Sequence, residues 1–163
     1  KDAVVATMLI AEMAAVAAEQ NKTLYDNLIE LYQKYGYGAE KTISIERIGM
    51  KGAEQIKNAM DGLRAEKSKG ISGIPITSIK DFQTNEITDV SSGETKADNL
   101  PQSNVLLYEV GDDLDWIAVR PSGTEPKIKI YAGFYTDSEA EAKADLAKYS
   151  SAIVEHIEEL LDS

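Results

Sequence analysis

The sequence predicts an α+β fold: an antiparallel sheet with two helices on one face, preceded by two further helices. Three observations carry this. Apolar runs at 105–110, 116–120 and 128–135 read as strands, joined by connections too short for anything but hairpins. Helical segments at 52–66 and after residue 137 bracket the strand region, giving the order helix, strands, helix from about residue 50. Both helices confine their large apolar residues to one stripe, so each can cover one side of a sheet.

Composition bounds the possible functions. The 163 residues suffice for one ordinary domain, or a small domain plus a piece of another, and 43% hydrophobic with 28% charged residues describes a globular chain. A net charge of −11 argues against a nucleic-acid partner, whose phosphates would be repelled. No apolar run reaches membrane-spanning length, and no membrane partner is expected; the Ala-rich stretch 3–18 contains Glu12 and has no basic leader segment. The absence of cysteine fits a cytoplasmic protein.

From the N-terminus, Asp2 is placed to cap a helix from Ala3, with Val4, Val5, Met8, Leu9 and Ala15 on a broad apolar face. The polar break Gln20-Asn21-Lys22 leads to a second cap, Thr23, with Asp26 three residues on. Leu24, Leu28, Leu31, Tyr32 and Tyr35 then keep helical spacing until Gly36 and Gly38. Within their own segment these two helices have no sheet to cover. Either they pack as a hairpin on something downstream, or they end a domain whose front lies elsewhere. Residues 42–45 alternate like a strand, a domain boundary is expected near 48–51, and the link 42–51 is expected to hold the hinge.

The helix at 52–66 carries Ile56, Ala59, Met60 and Leu63 on one face, and Lys67-Ser68-Lys69-Gly70 closes it with cations at its negative end. A turn at 71–75 leads to short strands at 76–83 and 85–90. Residues 91–104, polar and holding Gly93 and Pro101, read as an exposed loop. Gly111-Asp112-Asp113 forms a hairpin turn between the strands at 105–110 and 116–120. In the last helix Ser138 and Glu141 have capping-box spacing, and Leu146, Tyr149, Ile153, Ile157 and Leu160 form the buried stripe.

Between the last two strands lies Arg120-Pro121-Ser122-Gly123-Thr124-Glu125-Pro126-Lys127-Ile128-Lys129-Ile130-Tyr131. Proline stiffens the loop at both ends. Pro121 and Gly123 suit the second and fourth positions of a type I turn starting at Arg120, which would aim successive N–H groups into one concavity. Arg120, the hydroxyls of Ser122 and Thr124, and the ammonium groups of Lys127 and Lys129 surround it. A planar guanidinium fork, hydroxyls and oriented amides suit a dianionic phosphate. On the following strand Ile128, Ile130 and Phe134 face the helices, and Lys127, Lys129 and Tyr131 the open side. Screening over roughly 8–10 Å lets these cations outweigh the distant acids.

R-P-S-G-T-E-P-K-I-K-I-Y closely resembles the phosphate-binding loop in the last domain of the α-D-phosphohexomutases, the phosphoglucomutase and phosphomannomutase family. The resemblance extends to K-D-A-V-V-A-T-M-L-I-A-E-M-A and T-L-Y-D-N-L-I-E-L-Y-Q-K-Y-G, which are similar to the end of the family's third domain. It implies that residues 1–48 are the C-terminal helices and linker strand of that α/β domain. Residues 49–163 would then be the fourth domain, with a sheet of about four strands and two helices. It also implies that Arg120, Ser122, Gly123 and Thr124 grip the phosphate that is not transferred. Lys129 is a further candidate, adding charge, and Glu125, an acid that cannot itself favour phosphate, is expected to orient Arg120 or a lysine. The implied parent is an isomerase that interconverts hexose 1-phosphate and hexose 6-phosphate, using Mg²⁺ and a hexose bisphosphate, with its remaining domains as partners.

The family's phosphoserine loop (T-A-S-H-N-P type), magnesium loop (D-G-D-x-D-R type) and sugar-reading loop (G-E-E-S-G type) do not occur in these residues. No catalytic and no metal-ligating residue is therefore expected here, and the piece alone is expected to be inactive. A non-catalytic anion-binding or interaction module remains open, as does a mutase for another sugar such as a phosphoglucosamine or a pentose phosphate. His156, the only histidine, reads as a helix-packing or surface residue. The acid pairs Asp112/Asp113 and Glu158/Glu159 read as solvated charge, and Tyr25, Tyr32, Tyr35 and Tyr37 as packing.

Overall fold

A computed structural model describes residues 2–67, 70–111 and 114–163. Lys1, Ser68 and Lys69 of the expected helix end, and the acid pair Asp112 and Asp113 of the expected hairpin turn, lie outside the described residues. The elements are α1 (Ala3–Glu19), α2 (Leu24–Tyr35), β1 (Tyr37–Glu46), α3 (Gly49–Ala65), β2 (Ile76–Asp81), β3 (Glu86–Asp89), β4 (Thr95–Ala97), β5 (Leu106–Val110), β6 (Asp115–Pro121), β7 (Lys127–Thr136) and α4 (Glu139–Asp162).

The described strands form one antiparallel sheet in the order β1-β7-β6-β5-β2-β3-β4. Its seven strands exceed the four or so expected. The additions are at the edges. Tyr37 to Glu46 pairs along its whole length with Thr136 to Lys127, so the strand expected at 42–45 is the end of a longer one. At the other edge, the expected loop 91–104 contains β4, held by its ladder to β3 and by the hydrogen bond between the Thr88 and Thr95 hydroxyls at 3.2 Å. Asp89 builds that hairpin: its Oδ1 accepts from the Ser91 and Ser92 hydroxyls and from Ser92 N–H, and Gly93 takes φ +73°.

Both α3 and α4 lie against one face of the sheet. Ile56, Ala59, Met60 and Leu63 of α3 and Ile153, Ile157 and Leu161 of α4 meet Leu106, Tyr108, Ile117, Val119, Ile128, Ile130 and Phe134 in a single core. Burying each large aliphatic side chain contributes about 1.5–3 kcal/mol, so this layer dominates the stability of the unit. Phe134 stacks on Tyr149 with ring centroids 5.2 Å apart. On α4 the stripe is shifted: Leu161 enters the core, while Leu160 stays half-buried against Gly62. The expected capping box of α4 does not form. Ser138 is the N-cap but its side chain makes no cap; Thr136 Oγ1 instead accepts from Ser138 N–H and donates to Ser138 C=O.

The two N-terminal caps form as expected. Asp2 accepts from Val5 N–H, and Thr23 and Asp26 make a reciprocal capping box. Helix α1 has apolar residues on every side, yet among the described residues little covers it: Val4 is 71% and Met8 66% exposed, and only Ala17 is buried. A helix apolar all round has the composition of a core helix, and among the described residues no such core encloses it. No single described helix is long and apolar enough to cross a membrane; the pair α1 and α2, bent by 88° at its break, reaches the length and composition only jointly.

Candidate anion-binding loop

The site grows out of the β6–β7 hairpin. Arg120 pairs with Lys129 and Pro121 with Ile128, so the ladder runs two residues into the motif before the chain turns. The type I turn expected from Arg120 is therefore not formed, because Arg120 and Pro121 are extended. The loop proper is 122–126. Ser122 N–H donates to Lys127 C=O at 2.8 Å, and Lys127 N–H to Glu125 C=O at 2.8 Å, which closes the loop at its base. Thr124 N–H leans on Ser122 Oγ at 3.5 Å. Of the amides expected to line the concavity, those of Gly123 and Glu125 have no partner among the described residues. Gly123 has no positive φ, and a Cβ there would meet nothing within 4 Å, so its glycine leaves the N–H uncovered rather than relieving strain.

The cations divide into two kinds. Lys127 Nζ lies 2.6 Å from Glu125 Oε2 and 3.9 Å from Glu46 Oε1. Its hydrogen bond to Glu125 holds the ammonium above its ordinary range and holds the Glu125 carboxyl below its own. Glu125 thus orients a lysine, one of the two roles expected of it. Arg120 and Lys129 face each other on the open side of the sheet and make no ion pair among the described residues. They are the charges left for a ligand.

The loop has a second side. Pro121, Ser122, Gly123 and Thr124 wall a cleft of about 910 Å³ whose other wall is α3, at Met50, Ala53 and Ile56. Ser122, Gly123 and Thr124 line this cleft together at the loop tip, while Arg120 and Lys129 pair at the loop base on the open side of the sheet. The backbone N–H of Arg47 donates to Pro126 C=O at 2.9 Å, so the segment entering α3 is tied to the loop. Arg47 also pairs with Glu158, which is therefore more than solvated charge.

Sequence reasoning missed the ion cluster beside this cleft. Asp81, its side chain fully buried, receives Lys67 Nζ at 2.8 Å and Arg64 Nε at 3.3 Å, and Arg64 reaches on to Asn104. The available signal was an acid at an apolar position of an alternating strand, two residues after Ile79. His156 packs between helices, with Nε2 3.0 Å from Glu66 of the α3 end. Tyr32 and Tyr37 pack with centroids 5.3 Å apart, whereas Tyr25 and Tyr35 are exposed. Among the described residues no group of three or more His, Cys, Asp or Glu is placed to hold a metal.

Residues 88–148 match the family model of the phosphoglucomutase/phosphomannomutase C-terminal domain. The chain is 32% identical over 151 residues to a phosphoglucomutase of Staphylococcus haemolyticus, covering 91% of this chain and 27% of that protein. It is 37% identical over 133 residues to a phosphoglucomutase of Staphylococcus aureus, covering 80% of this chain and 23% of that protein. The crystal structure of parafusin, a phosphoglucomutase of Paramecium, in its open form overlaps 90% of this chain and 25% of its own, at 17% identity and a TM-score of 0.48. The chain spans about a quarter of the length of the curated relatives it matches.

Proposed function

This chain carries the C-terminal domain of the phosphoglucomutase/phosphomannomutase family, and from that premise we propose that it is the phosphate-gripping rear part of a phosphohexomutase. The parent interconverts hexose 1-phosphate and hexose 6-phosphate in the cytoplasm. Residues 1–48 end the preceding domain and 49–163 form the last one, with β1 as the strand by which the linker enters the last sheet. The exposed apolar surface of α1 then meets the body of the preceding domain.

The observation that carries the proposal is the pairing of Arg120 with Lys129, both without an ion pair among the described residues, at the base of a loop with two free amides. Arg120 makes a bidentate contact with phosphate, Ser122 and Thr124 donate hydroxyls, Gly123 gives its N–H, and Lys129 supplies charge. A bisphosphate intermediate must turn end for end, so one site has to accept either phosphate while the other reacts. A cradle that reads the phosphate and not one sugar face does this. On this reading Mg²⁺ and the phosphoryl-transfer groups are supplied by other segments of the parent, and this chain's part is to bind and orient the phosphate that does not react.

Titration of the 163-residue chain with glucose 6-phosphate, followed by backbone amide NMR, tests this reading. Shifts concentrated at 120–129 support it. Unmoved resonances in that segment up to tens of millimolar ligand, with the rest of the spectrum folded, would remove the proposal.

A further inference from the structure

The sheet gives the loop a neighbour that the motif does not contain. Lys129 pairs on one side with Arg120 of β6 and on the other with Ser44 of β1. Residues paired across an antiparallel ladder present their side chains to the same face. Arg120, Lys129 and Ser44 therefore form one row across three strands; Ser44, on the edge strand, also borders a groove with Ser150, Ser151 and Val154 of α4. Ser44 is exposed, and among the described residues its hydroxyl makes no hydrogen bond. In the next row toward the loop, Lys127 is already engaged by the carboxylates of Glu125 and Glu46.

We infer that Ser44 is a further phosphate-binding residue, so that the anion lies across β6, β7 and β1 with Arg120 and Lys129 folded over it from above. This rests on the phosphate-binding reading of the loop. The argument is one of reach and charge. Neighbouring strands are about 4.8 Å apart, so the row spans roughly 10 Å from Arg120 to Ser44. The long Arg120 and Lys129 side chains can bend to a common point above Lys129, whereas the short Ser44 hydroxyl reaches only an anion seated on the sheet surface. A hydroxyl in this place donates one bond and adds no negative charge, which suits a dianion held by two cations. The ligand class is a phosphomonoester or inorganic phosphate, and β1 supplies the third side of its site.

The test is a titration of the chain with inorganic phosphate at pH 8, read by amide NMR, for the native sequence, Ser44→Ala, Ser44→Thr and Arg120→Ala. Loss of one hydrogen bond to a charged acceptor should weaken phosphate binding about tenfold or more in Ser44→Ala. Ser44→Thr, which keeps the hydroxyl and suits a strand, should stay within about twofold of the native chain. Unchanged β1 and β7 amide shifts in the free variants exclude a folding artefact. If the native chain binds at 120–129 and Arg120→Ala abolishes it, while Ser44→Ala binds as the native chain does, the three-strand site is wrong and the loop reading stands. If the native chain does not bind phosphate at all, both fall.

Discussion

Arg120 and Lys129 stand directly opposite each other in the β6–β7 ladder, two like charges neither of which is in an ion pair among the described residues. Like charges opposite each other across a ladder are unfavourable. Two residues further along β7 toward the loop, Lys127 is held by two carboxylates. The contrast separates a cation that fixes the loop from cations left to meet an anion.

That contrast predicts the behaviour of Lys127. Lys127→Met leaves Glu125 uncompensated beside the site, and a unit charge within several ångströms at a protein surface should weaken phosphate binding about three- to tenfold. Adding Glu125→Gln to Lys127→Met should return affinity to within about twofold of the native chain. Calorimetric or NMR titration of the two variants checks this. A double variant as weak as the single one would make Lys127 a ligand.

Asp89 predicts a pH dependence at the far edge. Hydrogen bonds from the Ser91 hydroxyl and from Ser92 bring its carboxyl down from 3.8 to about 2. A depressed folded pKa means that these bonds stabilise the β3–β4 hairpin above about pH 3.8 and are lost as pH falls toward 2. The Ser92 amide shift should therefore titrate with a midpoint near 2 and stop titrating in Asp89→Ala. A midpoint close to 3.8 would count against the turn described here.

Two glycines near the loop should respond in opposite ways. A Cβ at Gly52 would stand 2.6 Å from the backbone carbonyl carbon of Arg47, so Gly52→Ala must push α3 away from the segment bonded to Pro126. The expected loss is about 1–3 kcal/mol in chemical denaturation, as for other overpacked sites. Gly123→Ala meets nothing within 4 Å and should stay within about 0.5 kcal/mol of the native chain. Equal effects at the two positions would mean that the approach of Arg47 to α3 is wrong.

Removing the buried anion should cost more. Asp81→Ala leaves Arg64 and Lys67, whose side chains are 13% and 15% exposed, without their shared carboxylate. Among the described residues Lys67 then keeps only Glu86 at 3.3 Å and Arg64 only Asp61 at 4.0 Å as acidic partners. Breaking such a pair costs about 3–5 kcal/mol, an upper figure here because those acids remain. Urea denaturation measures it, and a loss below about 1 kcal/mol would show the cluster to be solvated in practice.

Much of this was legible in the chain. Asp2 and Thr23 start helices because their side chains accept from amides three residues on, a local interaction that sequence spacing encodes. The stripe Ile56, Ala59, Met60 and Leu63 and the alternation Ile128, Ile130, Phe134 gave the buried faces directly. Non-local pairing was not legible. Thr95-Lys96-Ala97 is exposed on both faces and is a strand only through its ladder to β3. The first half of β1, Tyr37 to Lys41, has no alternation and is ordered by β7. In the site, the motif points to Arg120, Ser122, Gly123, Thr124 and Lys129, but the turn expected from Arg120 is replaced by two more residues of strand. Neither Ser44 nor the wall formed by α3 carries any local mark.

The central claim, that Arg120 grips a phosphate distant from the reacting bond, is tested most directly by steady-state kinetics of Arg120→Ala in the full-length protein that contains this chain. Each lost hydrogen bond to a charged group is worth roughly 1.5–3 kcal/mol, about ten- to a hundredfold. The account predicts a loss in kcat/KM on at least that scale, carried first by KM, because the transfer groups lie in other segments and still act on substrate that binds. Arg120→Lys should recover only part of it, since a point charge lacks the planar fork. If Arg120→Ala left both kcat and KM within about twofold of the native enzyme, the loop would be a hairpin turn and not a phosphate site.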